Sequence, residues 1–289
     1  MKKILFTTAY SKSSKNTWHY ALKLAQYFDA QITLMHVYQD ASMILTTGPD
    51  SQAGELSDNL DRFNEKKLFE EKNRLRTFVS ENTPKQFHQL SFNYVAKTGN
   101  VAAAILEEEK NSDYGIIIIG TTTTSRLGSA LFGSTARTLL AQSSSPVLLV
   151  PPMATYRGIR KIIYATNFES GDVSAIQQLI DWVEAFDAKL HLLHVLKNTY
   201  KAQAAKEKMK LLIDQFRKAK ETGTVTTQFL EGRIAQSIQQ YLQKIGGDMI
   251  ALTTHNRGFF AQLFDPSITN QIASEAMVPI LIFKEKIVT

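Results

Sequence analysis

The chain has 289 residues, 44% of them hydrophobic and 21% charged, the composition of a globular protein of about two domains. It contains no cysteine, which excludes disulfide scaffolds, cysteine nucleophiles, iron–sulfur clusters and thiolate zinc sites. Its 33 basic and 27 acidic residues leave a formal charge of +6.

Lys197–Lys220 alone holds eight basic residues against Glu207 and Asp214, so 8 − 2 = +6. Ala202, Ala205, Met209, Leu212 and Phe216 form a 3-4-3-4 apolar stripe in that segment. The pattern reads as a helix with a solvated basic face rather than a nucleic-acid surface, which would spread its charge over several elements. No apolar run approaches the ~20 residues that span a bilayer. Met1–Tyr10 has neither the apolar length nor the cleavage pattern of a signal peptide. A soluble cytoplasmic protein is expected, with no membrane partner.

The chain repeats itself. Phe28-Asp-Ala-Gln-Ile-Thr-Leu-Met-His-Val37 and Phe186-Asp-Ala-Lys-Leu-His-Leu-Leu-His-Val195 are identical at six of ten positions, at an offset of 186 − 28 = 158. The same offset places Lys3-Ile-Leu5 on Lys161-Ile-Ile163. Further on the offset falls to 279 − 146 = 133, matching Ser145-Pro-Val-Leu-Leu149 with Val278-Pro-Ile-Leu-Ile282. The first repeat is therefore longer by 158 − 133 = 25 residues. The excess falls in Asp40–Asp61, a Ser/Thr/Gly/Asp-rich stretch that is read as a loop at the mouth of the first crevice.

In chain order, each repeat predicts a strand (Ile4–Thr8 or Ile162–Thr166), an amphipathic helix, and a second strand ending in His-Val. A further helix follows (Arg62–Ser80 or Tyr200–Lys220), then a third strand (Phe92–Lys97 or Val225–Leu230) and a helix beginning near Gly99 or Gly232. A fourth strand (Ile116–Ile119 or Met249–Leu252), a loop, a last helix and a fifth strand (Val147–Val150 or Ile280–Phe283) complete the unit. Strands alternating with helices imply right-handed crossovers and parallel sheets. The unbroken apolar runs of the fourth and fifth strands imply helices on both faces. The expected architecture is α/β, two tandem five-stranded parallel-sheet domains, residues 1–152 and 158–289, each a three-layer sandwich.

Ligands of such sheets bind beyond the carboxyl ends of the strands, where the winding switches. The loop after the fourth strand reads Gly120-Thr-Thr-Thr-Thr-Ser-Arg-Leu-Gly-Ser-Ala-Leu-Phe-Gly133-Ser134-Thr135. A Gly-Ser step opening a helix offers backbone N–H groups and a hydroxyl at the positive end of a helix dipole, suited to phosphate. The same step also serves as an ordinary turn and helix cap. The Walker phosphate loop and the Gly-x-Gly-x-x-Gly dinucleotide fingerprint are both absent.

The tandem repeats, the His-Val strand end, the glycine-rich loop and the closing Pro-Val-Leu-Leu-Val strand resemble the universal stress protein family over nearly the whole chain. The resemblance implies a Rossmann-like or flavodoxin-like fold related to adenine-nucleotide-binding domains. Some members bind ATP through Gly-x2-Gly-x9-Gly-[Ser/Thr]. In repeat one that motif maps onto Gly120, Thr123, Gly133 and Ser134, with a threonine at the second glycine. Thr8-Ala9-Tyr10-Ser11 stands where ATP-binding members carry an aspartate, and Val37 stands where the backbone faces adenine. The resemblance thus implies a weak adenine-nucleotide site, ATP or a related nucleotide, at Thr8, Ala9, Val37, Gly120, Thr121, Thr123, Gly133, Ser134 and Thr135. In repeat two the motif becomes Thr253, Asn256, Pro266 and Ser267, and Asn167 replaces the aspartate, so that pocket is read as degenerate.

His191 and His194 lie on one strand at odd spacing and point to opposite faces, so no shared metal is expected. His36 and His194 are equivalent in the repeats and are read as packing or hydrogen-bonding residues. No spacing suggests a catalytic set. The expectation is a cytoplasmic, non-enzymatic stress-response protein whose repeats pack as an intramolecular pseudo-dimer, with a homodimer or another protein partner left open. A slow ATPase and an interaction module that binds no nucleotide are the alternatives.

Overall fold

A computed structural model of the protein describes residues 1–38, 53–121, 133–196, 199–216, 224–253 and 278–284. The first repeat supplies strands β1 (Lys3–Thr7), β2 (Gln31–Tyr38), β3 (Phe92–Thr98), β4 (Ile116–Gly120) and β5 (Val147–Val150). The second supplies β6 (Lys161–Ala165), β7 (Lys189–Leu196), β8 (Val225–Glu231), β9 (Met249–Thr253) and β10 (Ile280–Phe283). Seven α-helices are present among the described residues. They are α1 (Lys12–Phe28), α2 (Ala53–Asn82), α3 (Val101–Asn111), α4 (Ser134–Gln142), α5 (Gly171–Phe186), α6 (Ala202–Asp214) and α7 (Ile234–Ile245).

The two five-stranded parallel sheets expected of the repeats are present and join edge to edge into one sheet of ten strands, in the order β3-β2-β1-β4-β5-β10-β9-β6-β7-β8. Every pairing is parallel except β5 with β10, which is antiparallel. The reason lies in the edge. Val147-Leu-Leu-Val150 is buried along its whole length, and an apolar edge with open backbone groups needs a partner. The copy of that edge in repeat two provides one. Leu148 pairs with Leu281, and 281 − 148 = 133 is the repeat offset itself. Val147 with Ile282 and Leu149 with Ile280 flank that centre, the reciprocal pattern of a two-fold interface. The repeats are thus an intramolecular pseudo-dimer, and the carboxyl ends of their strands point in opposite directions.

The same two-fold relation shows between α1 and α5. Their stripes, Ala21, Leu24 and Ala25 against Leu179, Trp182 and Val183, are buried as the periodicity requires. Both helices end at an aspartate in the left-handed conformation, Asp29 (φ 48°) and Asp187 (φ 49°). Phe28 and its counterpart Phe186 meet edge to face at 6.3 Å, and Phe28 lies 5.6 Å from Trp182. One apolar layer, containing Phe6, Trp18, Leu34, Tyr164 and Leu281, runs beneath α1, α2, α5 and α6 across both repeats. A second layer, with Leu5, Ile117, Leu149, Ile163 and Ile282, fills the opposite face beneath α3, α4 and α7.

The excess segment of repeat one is in part helix rather than the loop expected over 40–61. Residues 40–52 lie outside the described residues, but 53–61 belong to α2, which begins at Ala53 instead of Arg62. Leu56, Leu60 and Phe63 stand at helical spacing, and elongating a formed helix is far cheaper than starting one. In repeat two, α6 ends at Asp214, and residues 217–220 of the expected helix lie outside the described residues. No helix among the described residues is long and apolar enough to cross a membrane.

Candidate functional site

In repeat one, β1 leads into β2 on one side of the sheet, and β4 and β5 lie on the other. The winding therefore reverses between β1 and β4, and their carboxyl ends splay apart to leave a crevice. A cavity of about 340 Å³ occupies it. Thr8, Ala9, Val37, Gly120, Thr121, Gly133, Ser134 and Thr135 all line this cavity. Thr123, the ninth residue of the expected site, lies outside the described residues.

Helix α4 starts at the cavity wall. Its capping position is Gly133, which has no side chain to accept from the first turn. The leading N–H groups of α4 therefore lack an intrahelical acceptor and face the crevice beside the Ser134 and Thr135 hydroxyls. Thr121 is differently engaged: its backbone N–H donates to Val150 O at 2.9 Å and its hydroxyl leans on the same carbonyl at 3.5 Å. Gly120 has a packing role as well. A Cβ there would sit 2.9 Å from Thr17 Oγ1 on α1, so glycine is what lets the helix lie close to β4.

The structure adds residues that the motif did not select. Ser11, Ser13 and Ser14, from the first turn of α1, also line the cavity. Ser11 Oγ accepts from Ser14 N at 3.2 Å as the helix cap. It also meets Ser13 Oγ at 2.9 Å and Ser14 Oγ at 3.1 Å, and Ala9 N donates to Ser14 Oγ at 3.3 Å. The legible signal was Ser11-Lys-Ser-Ser14 directly before a helical stripe, a cap pattern whose hydroxyl density exceeds what capping needs.

His36 locks this arrangement from behind. Its Nδ1 lies 2.7 Å from Thr8 O, and a carbonyl only accepts, so Nδ1 carries the hydrogen. Its ring packs 4.5 Å from Tyr10, which takes a left-handed φ of 56°. Arg74 covers the other flank of Tyr10 at 4.2 Å, and burial, with the Glu71 carboxylate beside it, pushes the Tyr10 phenol well above its ordinary range. Glu71 is buried and lies 3.8 Å from His36 Nε2, with Lys67 on its other oxygen at 3.4 Å. Apart from His36, no ionisable side chain lines the repeat-one cavity among the described residues. No cluster of three metal-binding side chains occurs among them either.

Repeat two copies the backbone and changes the chemistry. His194 Nδ1 meets Thr166 O at 2.9 Å, and Phe168 takes φ 61° in the place of Tyr10. His191 faces the other side of β7, toward the Tyr241 hydroxyl at 3.0 Å, so the two histidines do point apart. At the position of Ser14 stands Asp172 (172 − 14 = 158), buried to 1% exposure. It accepts from the Tyr164 hydroxyl at 2.6 Å, the Thr166 hydroxyl at 2.5 Å and Glu169 N at 3.1 Å. The loop after β9, with His255, Asn256, Pro266 and Ser267, lies outside the described residues.

A doubled crevice fold with this topology is matched by one family model, the universal stress protein family, over residues 1–151 and again over 158–284. The chain belongs to that family. Among solved structures it resembles a universal stress protein from Archaeoglobus fulgidus DSM 4304, with a TM-score of 0.67 at 17% identity over 98% of both chains. It also resembles a functionally unknown protein from Pseudomonas aeruginosa PAO1, with a TM-score of 0.61 at 14% identity, covering 98% of this chain and 92% of that one. The cytoplasmic domain of a prokaryotic cation chloride cotransporter has the same overall fold, with a TM-score of 0.54 at 11% identity, covering 97% and 94%. No curated protein matches the sequence.

Proposed function

We propose that the protein is a cytoplasmic, non-enzymatic stress-response protein whose first repeat holds an adenine nucleotide weakly. The observation that carries the reading is the repeat-one crevice, where the uncapped first turn of α4 and the serines of α1 converge on one cavity. Phosphate oxygens would accept from the Gly133 N–H, the leading α4 N–H groups and the Ser134 and Thr135 hydroxyls, with the helix dipole favouring negative charge. The adenine would lie toward Val37 and Val101. With no lysine, arginine or carboxylate among the described lining residues, nothing there neutralises a triphosphate or positions a metal. That supports micromolar binding at best and argues against hydrolysis.

The test is calorimetric titration of the protein, stripped of endogenous ligand, with ATP, ADP and AMP. Saturable binding that Gly133→Pro abolishes supports the site. Gly133 already sits at φ −56°, a proline angle, so the substitution removes an N–H without bending the backbone. Unchanged binding in that variant places the phosphates elsewhere.

A further inference from the structure

A cavity of about 480 Å³ lies on the seam between the repeats. Arg160, Asp248 and Val278 stand just before β6, β9 and β10, so it opens at the amino ends of the repeat-two strands, away from that repeat's own crevice. Tyr20 of α1 closes it from repeat one, and the linker between β5 and β6 forms its side. Asn16 of α1 donates to Pro152 O at 2.8 Å and pins that linker. The cavity shares no lining residue with the repeat-one crevice.

The seam is not a copied feature, and the linker occurs once. At the position of Asp248, repeat one has Gly115 (248 − 133 = 115), where an added Cβ would meet Met1 Cγ at 2.7 Å. At the position of Tyr20, repeat two has Gln178 (20 + 158 = 178), whose amide donates to Ser174 O on its own helix.

Two polar atoms of the wall keep unused bonding capacity. Asp248 Oδ2 accepts from Arg160 N at 2.8 Å and Lys161 N at 3.0 Å, while Oδ1 has no donor among the described residues. Tyr20 is 4% exposed, and its hydroxyl has no hydrogen-bond partner among them. The oxygen is nonetheless not sealed in, so it opens on the cavity that Tyr20 lines. Burial, then the Tyr156 phenol and the Asp248 carboxylate, push the Tyr20 phenol well above its ordinary range, so the field of Asp248 reaches this hydroxyl. The carbonyl end of α7, at Gly246, adds partial negative charge to the same wall.

Arg157 and Arg160 also line the cavity and are exposed. No ion pair among the described residues joins either to Asp248. A wall that keeps a carboxylate and two arginines unpaired suits a ligand bearing both signs. A lone amine would be repelled by the arginines, and a lone carboxylate by Asp248. Guanidinium forks match a planar carboxylate, and carboxylate and phenol oxygens accept from an ammonium. Met153, 68% exposed, and Val278 add an apolar flank.

We infer that the seam binds an α-amino acid with an apolar side chain, its ammonium on Asp248 Oδ1 and Tyr20, its carboxylate on Arg157 and Arg160, and its side chain against Met153 and Val278. The site uses neither crevice, so it is independent of the nucleotide reading.

The probe is L-phenylalanine, titrated by calorimetry into the full-length protein beside phenethylamine and hydrocinnamate, which each keep one of its two charges. Phenylalanine is expected to bind at least about tenfold more tightly than either. Asp248→Asn keeps an oxygen for the two backbone N–H groups, loses the charge, and should weaken binding at least about tenfold. Tyr20→Phe keeps the ring and should weaken it about threefold or more. Arg157→Gln/Arg160→Gln, changed only at exposed positions, should weaken phenylalanine at least about tenfold without weakening phenethylamine. Gly133→Pro should leave phenylalanine binding unchanged. Four results overturn the inference: a single-charge fragment binding as tightly as phenylalanine, undiminished affinity in any of the three seam variants, loss of affinity in Gly133→Pro, or no saturation at concentrations on the order of 10 mM.

Discussion

The two repeats place the same backbone at the end of their first strand and put different side chains on it. Thr8 and Thr166 are each held by a histidine, and the next turn passes through a left-handed aromatic residue, Tyr10 or Phe168. Then the chemistry parts. Ser14 makes two weak contacts and faces a cavity, whereas Asp172 gathers three donors and is sealed. The duplicated backbone therefore carries two different side-chain networks. On the proposed reading, the open turn of repeat one is the one that receives an anion, while that of repeat two is closed by buried hydrogen bonds.

The largest effect expected from that contrast is on stability. Asp172→Ala strands the hydroxyls of Tyr164 and Thr166 and the N–H of Glu169 in a buried site, which should cost about 3 kcal/mol. Ser14→Ala, at the equivalent position, should cost about 1 kcal/mol. Equilibrium denaturation in urea reads both. Equal losses would mean that the two turns are not differently employed.

Next in size is the exchange of chemistry itself. Ser14→Asp copies the repeat-two residue into the repeat-one crevice, where its carboxylate would face the phosphates. Nucleotide affinity should fall at least about tenfold, since like charges a few ångströms apart cost about 1 kcal/mol even in water and more in a partly dry crevice. Calorimetry on the variant checks this. If affinity holds while Gly133→Pro abolishes it, the phosphates lie against α4 and away from α1.

Much of this molecule was legible in its sequence. The spans of β5 and β10 follow directly from Val147–Val150 and Ile280–Phe283, because unbroken apolar runs bounded by Pro and polar turns leave little freedom. The glycine loop led to the crevice, because Gly120 and Gly133 mark the end of β4 and the start of α4. The union of the two sheets was missed, although its cause was in view: an apolar closing strand, present twice, is a self-complementary edge. The start of α2 was missed because Ser, Gly and Asp suggest a loop residue by residue, while the helix is settled by spacing. The serines of α1 read as a cap, and only the fold reveals that the capped turn faces the same cavity as α4.

The smallest effect concerns a tie between the repeats that has no mirror image. Lys284, just after β10, donates to Leu139 O at 3.2 Å and to Leu140 O, carbonyls in the last turn of α4 in the other repeat. Its counterpart, at 284 − 133 = 151, is Pro151, which can make no such contact. Burial pulls the Lys284 ammonium down to about 8, with Glu109 opposing the shift. The folded state thus releases this proton more readily than the unfolded chain. The charge costs stability while both states are protonated, and stability should rise as pH climbs from about 8 toward the ordinary lysine value. Tyrosines oppose the rise higher up: burial raises Tyr156 to about 12, so unfolded phenols ionise first above the usual tyrosine value, and stability then falls. The informative window is therefore about pH 8 to 9.5. Lys284→Met keeps the stem in place and removes the proton. Relative to that variant, the parent should gain about 1 kcal/mol across the window, a figure reduced for the side chain's partial exposure. Parallel denaturation curves for the two proteins would show that the Lys284 proton does not distinguish the folded from the unfolded chain.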